Sequence, residues 1–232
     1  MSQLRFDPTT LRWTIMVPQR CRPLPSKKRE DTDRACPFCP GNESMAPGEI
    51  YRLPADKGQA WRCRVIPNNY PVLRVEERLE RQPHGIFDTI SGVGAHEVII
   101  DTPEHDLAVD KYSIDLWADL FAVFQARITD LKNDIRLRYA VLCKNVGLSA
   151  GILMLHPHSQ IIALPEIPPA VKQVLHAATA YYLQKERCVY CDLIHQETAD
   201  RVRLVCENQD FLAFCPYASS APMVIYPFTS SS

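Results

Sequence analysis

Leu155-His156-Pro157-His158-Ser159-Gln160 decides how this chain is read. His156, His158 and Gln160 fall at every second position. In an extended chain, period two puts all three side chains on one face. Two imidazoles and an amide with a single outlook suit attack on phosphorus. A neutral imidazole is nucleophilic near pH 7 and needs no base to remove a proton first. A backbone carbonyl accepting its Nδ1–H would aim Nε2 at a substrate. The amide of Gln160 donates to a phosphate oxygen but cannot shuttle a proton, which favours group transfer over hydrolysis. The plainer alternative is a strand that carries hydrogen-bonded histidines and no chemistry.

The rest of the sequence bounds this reading. A chain of 232 residues buries a real core, as one large domain or as one domain plus part of another. Its net charge of −1 argues against a broad nucleic-acid surface held by phosphate contacts. No apolar run approaches the roughly 18 residues of a membrane span, and Met1-Ser-Gln-Leu-Arg-Phe-Asp7 lacks a signal core. With no secretion signal, nine cysteines speak for metal rather than a disulfide framework, and for a reducing, cytoplasmic location.

Cys36-Pro-Phe-Cys39-Pro-Gly-Asn-Glu43 is the second strong signal. Two thiolates at this spacing form half of a tetrahedral zinc site, although redox pairs share the pattern. Histidine is the usual supplier of the other half. His96, opening the strand 96–101 after Gly92 and Gly94, is a candidate third ligand. Residues 11–17, ended by Pro18, read as a strand, as do 138–143, and 62–71 read as a short strand that runs into a turn. Arg20 and Arg22 either meet phosphate or are solvated loop residues. Asn68 and Asn69 either form a turn or bond a ribose or base edge. Residues 76–90 read as charged and irregular.

Ile114, Trp117, Phe121, Phe124, Ile128 and Leu131 form one apolar stripe, which predicts a core-facing helix over 114–131. A second helix is expected from the stripe Val171 to Tyr182. The strand before the motif and the turn between the two, Ser149-Ala-Gly151, bring Asn145 near the same pocket. Past residue 185 the composition changes. Cys188-Val-Tyr-Cys191 repeats the metal spacing, and 202–206, 211–215 and 221–226 read as short strands. The expected domains are therefore 1–185, complete, and 186–232, the start of a second copy. Cys188 and Cys191 are then at most a second metal half-site, because His195 is the only histidine beyond them.

Together these residues resemble the galactose-1-phosphate uridylyltransferase family, a branch of the histidine-triad superfamily. The resemblance rests on Phe6-Asp-Pro8 with Trp13, Cys36-Pro-Phe-Cys-Pro-Gly-Asn-Glu43, His96-Glu-Val98, Lys144-Asn145 with Gly147 and Gly151, His156-Pro-His-Ser-Gln160 and Phe214-Cys-Pro-Tyr217. It implies an α+β fold with a mostly antiparallel sheet and helices on one face. It implies Zn²⁺ on Cys36, Cys39, His96 and His156, with His158 as nucleophile and Gln160 on the phosphate. Arg20, Asn68, Asn69, Asn145 and Gly147 complete the substrate-facing set. The implied reaction moves a nucleoside monophosphate from a nucleotide sugar, UDP-glucose or ADP-glucose, to a sugar 1-phosphate or phosphate. A nucleotidyl-His158 would lie between, and a homodimer is the expected assembly. Leu153, Asn69 and Val174 depart from the family's serine, aspartate and iron-ligand glutamate. The second cysteine pair is similar to the two-zinc, adenylyl-transferring branch. Family members also run longer, which marks this chain as C-terminally short. An impaired zinc-containing nucleotide-binding module is the reading from another functional class.

Overall fold

The structure is a computed structural model that describes residues 1–9, 11–18, 35–55, 61–150, 152, 154–219 and 224–229. Arg20, Arg22, Gly151 and Leu153 lie outside the described residues. The chain divides into two compact units, Met1–Pro169 and Ala170–Ser232, ahead of the boundary expected at 185.

The first unit is built on antiparallel pairing. Its elements are β1 (Gln3–Asp7), β2 (Arg12–Met16), β3 (Tyr51–Leu53), β4 (Cys63–Pro67), β5 (Arg81–His84), β6 (Phe87–Ser91), β7 (Ala95–Ile100), α1 (Ile114–Leu131), β8 (Tyr139–Cys143) and β9 (His158–Leu164). A five-stranded sheet runs β3-β4-β7-β9-β8 and a four-stranded sheet β2-β1-β6-β5. The fold class is α+β, with every ladder in this unit antiparallel. Residues 76–90 are not irregular. They hold most of a hairpin, β5 and β6, whose two-residue turn starts at Gly85 with φ +61°. Positive φ at that turn position is what closely spaced antiparallel strands require. The strand β5, Arg-Gln-Pro-His, is exposed throughout, so no apolar alternation announces it.

β9 alternates between two environments. Ser159, Ile161 and Ala163 are buried; Ile161 and Ala163 meet Val65, Ala95, Ile99 and the inner face of α1. His158, Gln160, Ile162 and Leu164 face the other way. All six residues of β7 are buried, because both faces of that central strand are covered. Gly94, leading into β7, allows the closest approach. A Cβ there would lie 2.7 Å from Leu73 Cδ1 and against the Ala163 carbonyl.

The helix α1 starts where Ser113 caps it, its hydroxyl accepting from the Leu116 amide at 3.1 Å. Its buried face is Leu120, Val123, Phe124, Arg127 and Leu131. The expected stripe is thus rotated, with Ile114 and Phe121 exposed. The reason is Arg127. Its guanidinium donates both Nε and Nη2 to the Glu97 carboxylate on β7, each at 2.8 Å. Removing one partner of such a pair strands a buried charge. Arg127→Ala is expected to lower stability by about 3–5 kcal/mol. Arg127→Met with Glu97→Leu should recover most of it, as read from urea unfolding midpoints.

The second unit is opened by α2 (Pro169–Lys185), the helix expected from the 171–182 stripe, but none of its residues is buried. Then follow α3 (Val189–Asp200), β10 (Leu204–Glu207), β11 (Phe211–Phe214) and β12 (Tyr226–Thr229). The three strands form one antiparallel sheet in sequence order. Phe214 stacks on Phe228 at 5.2 Å within it. The third strand begins where the sequence reading ended it, and residues 221–223 lie outside the described set.

Candidate active site and metal centre

The nucleophile candidate stands on the face of β9 turned away from α1. His158 pairs with Ile100 of β7, and Gln160 with Val98 and with Cys143 of β8. Paired residues in an antiparallel ladder share a face, so the imidazole and the amide stand side by side. His158 Nδ1 lies 2.9 Å from the His156 carbonyl oxygen. That oxygen only accepts, so Nδ1 carries the proton and the Nε2 lone pair points outward. Phe38 packs edge-on against this ring at 5.8 Å and against His156 at 6.0 Å.

The three carbonyls of His156-Pro157-His158 are all held. His158 Nδ1 donates to the first and the Asp101 amide to the second at 3.1 Å. Lys144 Nζ donates to the third at 3.3 Å. Lys144 is itself paired with the fully buried Asp101, and Tyr112 donates its hydroxyl to the same carboxylate oxygen at 2.9 Å. Burial and the Asp101 charge hold the Tyr112 phenol un-ionised. A motif fixed at three successive carbonyls has little freedom to swing its side chains.

Cys36, Cys39, His105 and His156 bring one ligand atom each within 4.8 Å of one another. The knuckle is shaped by the Phe38 amide, which donates to Cys36 Sγ at 3.4 Å, and by Asn42 Nδ2 on the Cys36 carbonyl at 2.9 Å. Zn–S and Zn–N bonds at tetrahedral angles put sulfur and nitrogen about 3.6 Å apart. The separations to His156 Nδ1 are 3.8 Å from Cys36 and 3.6 Å from Cys39, and His105 Nδ1 lies 3.3 Å from Cys39. His156 Nε2 donates to the Thr102 carbonyl at 2.8 Å, which leaves Nδ1 for the cluster. Burial and the adjacent Cys36 push the Cys39 thiol up to about 11. Burial also pushes His156 below the usual imidazole value. Two crowded thiols beside two imidazoles fit a borderline-soft divalent cation, which would reverse the first of these shifts. The donor set is therefore one that can hold Zn²⁺.

His96 does not join that cluster, and His105 takes the place assigned to it. The register explains why. His96 pairs with Ile162, four residues along β9 from His158, about 13 Å at strand rise. The metal knuckle sits at the opposite end, past Ile100, where the chain turns through Thr102 to His105. Both nitrogens of His96 are engaged elsewhere. The Val72 amide donates to Nδ1 at 3.2 Å, and Nε2 lies 2.8 Å from Gln160 Oε1. The signal that finds His105 is the antiparallel order itself, which brings the far end of β7 to the start of β9.

Asn68 is the turn former expected of it, and its amide also reaches the row on β9. Its Oδ1 accepts the Tyr70 amide at 2.8 Å to form a turn, and its Nδ2 reaches Gln160 Oε1 at 3.4 Å. Asn69 is exposed next to it. A cleft lined by Asn68, Asn69, Arg74, His96 and Arg127 opens at this end of the row. Asn145 is exposed two residues past Cys143, at the end of β8 that leads towards His158, and Gly147 follows with φ +87°. Cys188 and Cys191 are exposed at the start of α3. Among the described residues no third ligating group completes a cluster with them. Among the same residues the cysteines are free, and no helix is long and apolar enough to cross a membrane.

Comparison with known proteins is consistent with this geometry. Residues 1–168 match the family model for the N-terminal domain of galactose-1-phosphate uridyl transferase. ADP-glucose phosphorylase of Arabidopsis thaliana is 33% identical over 232 residues, covering 97% of this chain and 64% of its own length. Galactose-1-phosphate uridylyltransferase of Thermotoga maritima is 27% identical over 231 residues, covering 98% and 67%. Among solved structures, a uridylyltransferase superposes with a TM-score of 0.77 at 27% identity, over 100% of this chain and 66% of that one. The Arabidopsis ADP-glucose phosphorylase with bound ADP-glucose gives 0.67 at 30%, over 94% and 65%. The chain thus spans somewhat less than two thirds of the first relative's length.

Proposed function

The chain belongs to the galactose-1-phosphate uridyl transferase family, and from that premise we propose that it transfers a nucleoside monophosphate through His158. The observation that carries the proposal is the His158 ring. With Nδ1 tied to the His156 carbonyl at 2.9 Å, Nε2 is presented on the same face as the Gln160 amide. Nε2 attacks the α-phosphorus of a nucleotide sugar, and the bond from that phosphorus to the bridging oxygen breaks. A sugar 1-phosphate leaves with the electron pair. An oxygen of phosphate or of a second sugar 1-phosphate then attacks the same phosphorus, and the P–N bond breaks to restore the imidazole. Gln160 donates to the phosphoryl oxygens through both steps.

Zinc, when bound by Cys36, Cys39, His105 and His156, fixes the residues around the nucleophile, since four protein ligands leave no open position. Between the two candidate nucleotides, we favour adenylate with phosphate as acceptor. The support is the higher identity to the Arabidopsis phosphorylase, 33% against 27% for the Thermotoga uridylyltransferase. The test is covalent trapping with α-phosphate-labelled ADP-glucose and, separately, UDP-glucose. Acid-labile, base-stable label from ADP-glucose is expected. Label from UDP-glucose alone would reassign the base. No label from either, on folded and zinc-loaded protein, would leave a nucleotide-binding module.

A further inference from the structure

We infer that His96 is a positioning residue that sets the orientation of the Gln160 amide, so that its NH₂ group and not its oxygen meets the phosphoryl group. The inference rests on the reading of Gln160 as the phosphate donor. An amide side chain presents an oxygen on one side and an NH₂ on the other, and the two occupy nearly the same volume. A glutamine that must donate to an anion needs something to fix which side faces it.

Three hydrogen bonds fix it here. The Val72 backbone amide, a group that can only donate, points at His96 Nδ1 at 3.2 Å. His96 Nδ1 is therefore the acceptor of a neutral ring, and Nε2 carries the proton. That Nε2–H lies 2.8 Å from Gln160 Oε1 and donates to it. Asn68 supplies the second constraint. Its Oδ1 is taken by the Tyr70 amide at 2.8 Å, so its NH₂ is the side that faces inward. That NH₂ donates to the same Gln160 oxygen at 3.4 Å. Asn68 Nδ2 and His96 Nε2 approach to 3.1 Å because both converge on one acceptor. Flipping Gln160 would set its NH₂ against two donors and lose both bonds. The surviving orientation turns Gln160 Nε2 away from His96 and Asn68, along the face on which His158 stands two residues earlier.

The experiment is a double-mutant cycle on the nucleotidylation step, with labelled ADP-glucose in single turnover, using the full chain loaded with zinc. His96→Ala is expected to slow labelling by about 10- to 100-fold, short of the roughly 10²–10³-fold lost with an oxyanion donor itself. The apparent KM should change far less than the rate. In a Gln160→Ala background, His96→Ala should add less than about threefold, since residues acting as one unit are non-additive. His96→Gln, whose oxygen can accept from Val72 and whose NH₂ can donate to Gln160, should recover most of the rate. An undiminished effect of His96→Ala in the Gln160→Ala background, or wild-type rates in His96→Ala, would overturn the inference. Imidazole ¹⁵N spectra of the wild-type protein supply a readout that needs neither turnover nor a variant that folds. A neutral His96 ring protonated on Nε2 is expected, and an Nδ1–H tautomer would refute the pairing. A wild-type protein with that Nε2–H tautomer but no label would sink the transfer reading while leaving the His96–Gln160 pairing standing.

Discussion

His158→Ala is expected to abolish covalent labelling by nucleotide sugar, a loss of about 10⁴-fold or more for removal of an attacking side chain. The ring donates to the carbonyl of His156 two residues away and leans on Phe38. None of the four metal-cluster atoms belongs to it. The substitution should therefore leave zinc content and thermal unfolding close to those of the parent. That separation is the point of the measurement. Lost label with intact metal assigns the chemistry to Nε2. Label that survives in the variant would move the nucleophile elsewhere and remove the central claim.

His105→Ala should strip the metal, while His96→Ala should leave it in place. Structural zinc contributes about 10–16 kcal/mol, so one ligand of four accounts for roughly 3–4 kcal/mol, or about 10²–10³ in affinity. Competition against a graded series of chelators, read by native mass spectrometry, measures this directly. Because His156 is both a cluster member and the residue whose carbonyl orients His158, metal loss should slow labelling as well. Retention of zinc in His105→Ala with loss in His96→Ala would restore the ligand set that the sequence alone suggests.

The sequence disclosed the parts of this site that are local. His158 and Gln160 are two residues apart on a strand, and period two is visible without a fold. Cys36 and Cys39 are likewise local, joined by one knuckle. His105 was not legible, because its partner lies 51 residues on and the link is a strand register. His96 looked like a ligand for the same reason, since a histidine at a strand mouth has no visible partner until β9 is laid beside it. The rotation of α1 was hidden by Arg127, which no apolar stripe would place inward. The helix α3 is masked in the sequence because Cys188 and Cys191 repeat the metal spacing, whereas in the structure they stand at the start of a helix.

The alternation along β9 has a consequence for how such a protein can change. Ile161 and Ala163 are wall stones of the α1 core, while His158 and Gln160 on the same seven-residue strand are the working groups. Interiors packed at crystal-like density transmit a misfit of one methylene to their neighbours. Neutral drift in that core is therefore coupled to drift in the position of the nucleophile, and the two cannot be tuned independently. Adaptation to a new base or sugar has its open route in the segments that border the row, around Asn69–Tyr70 and Asn145–Gly147, where residues are exposed and the backbone at Gly147 already has φ +87°. The strand stays constant as a template, and novelty is confined to its margins.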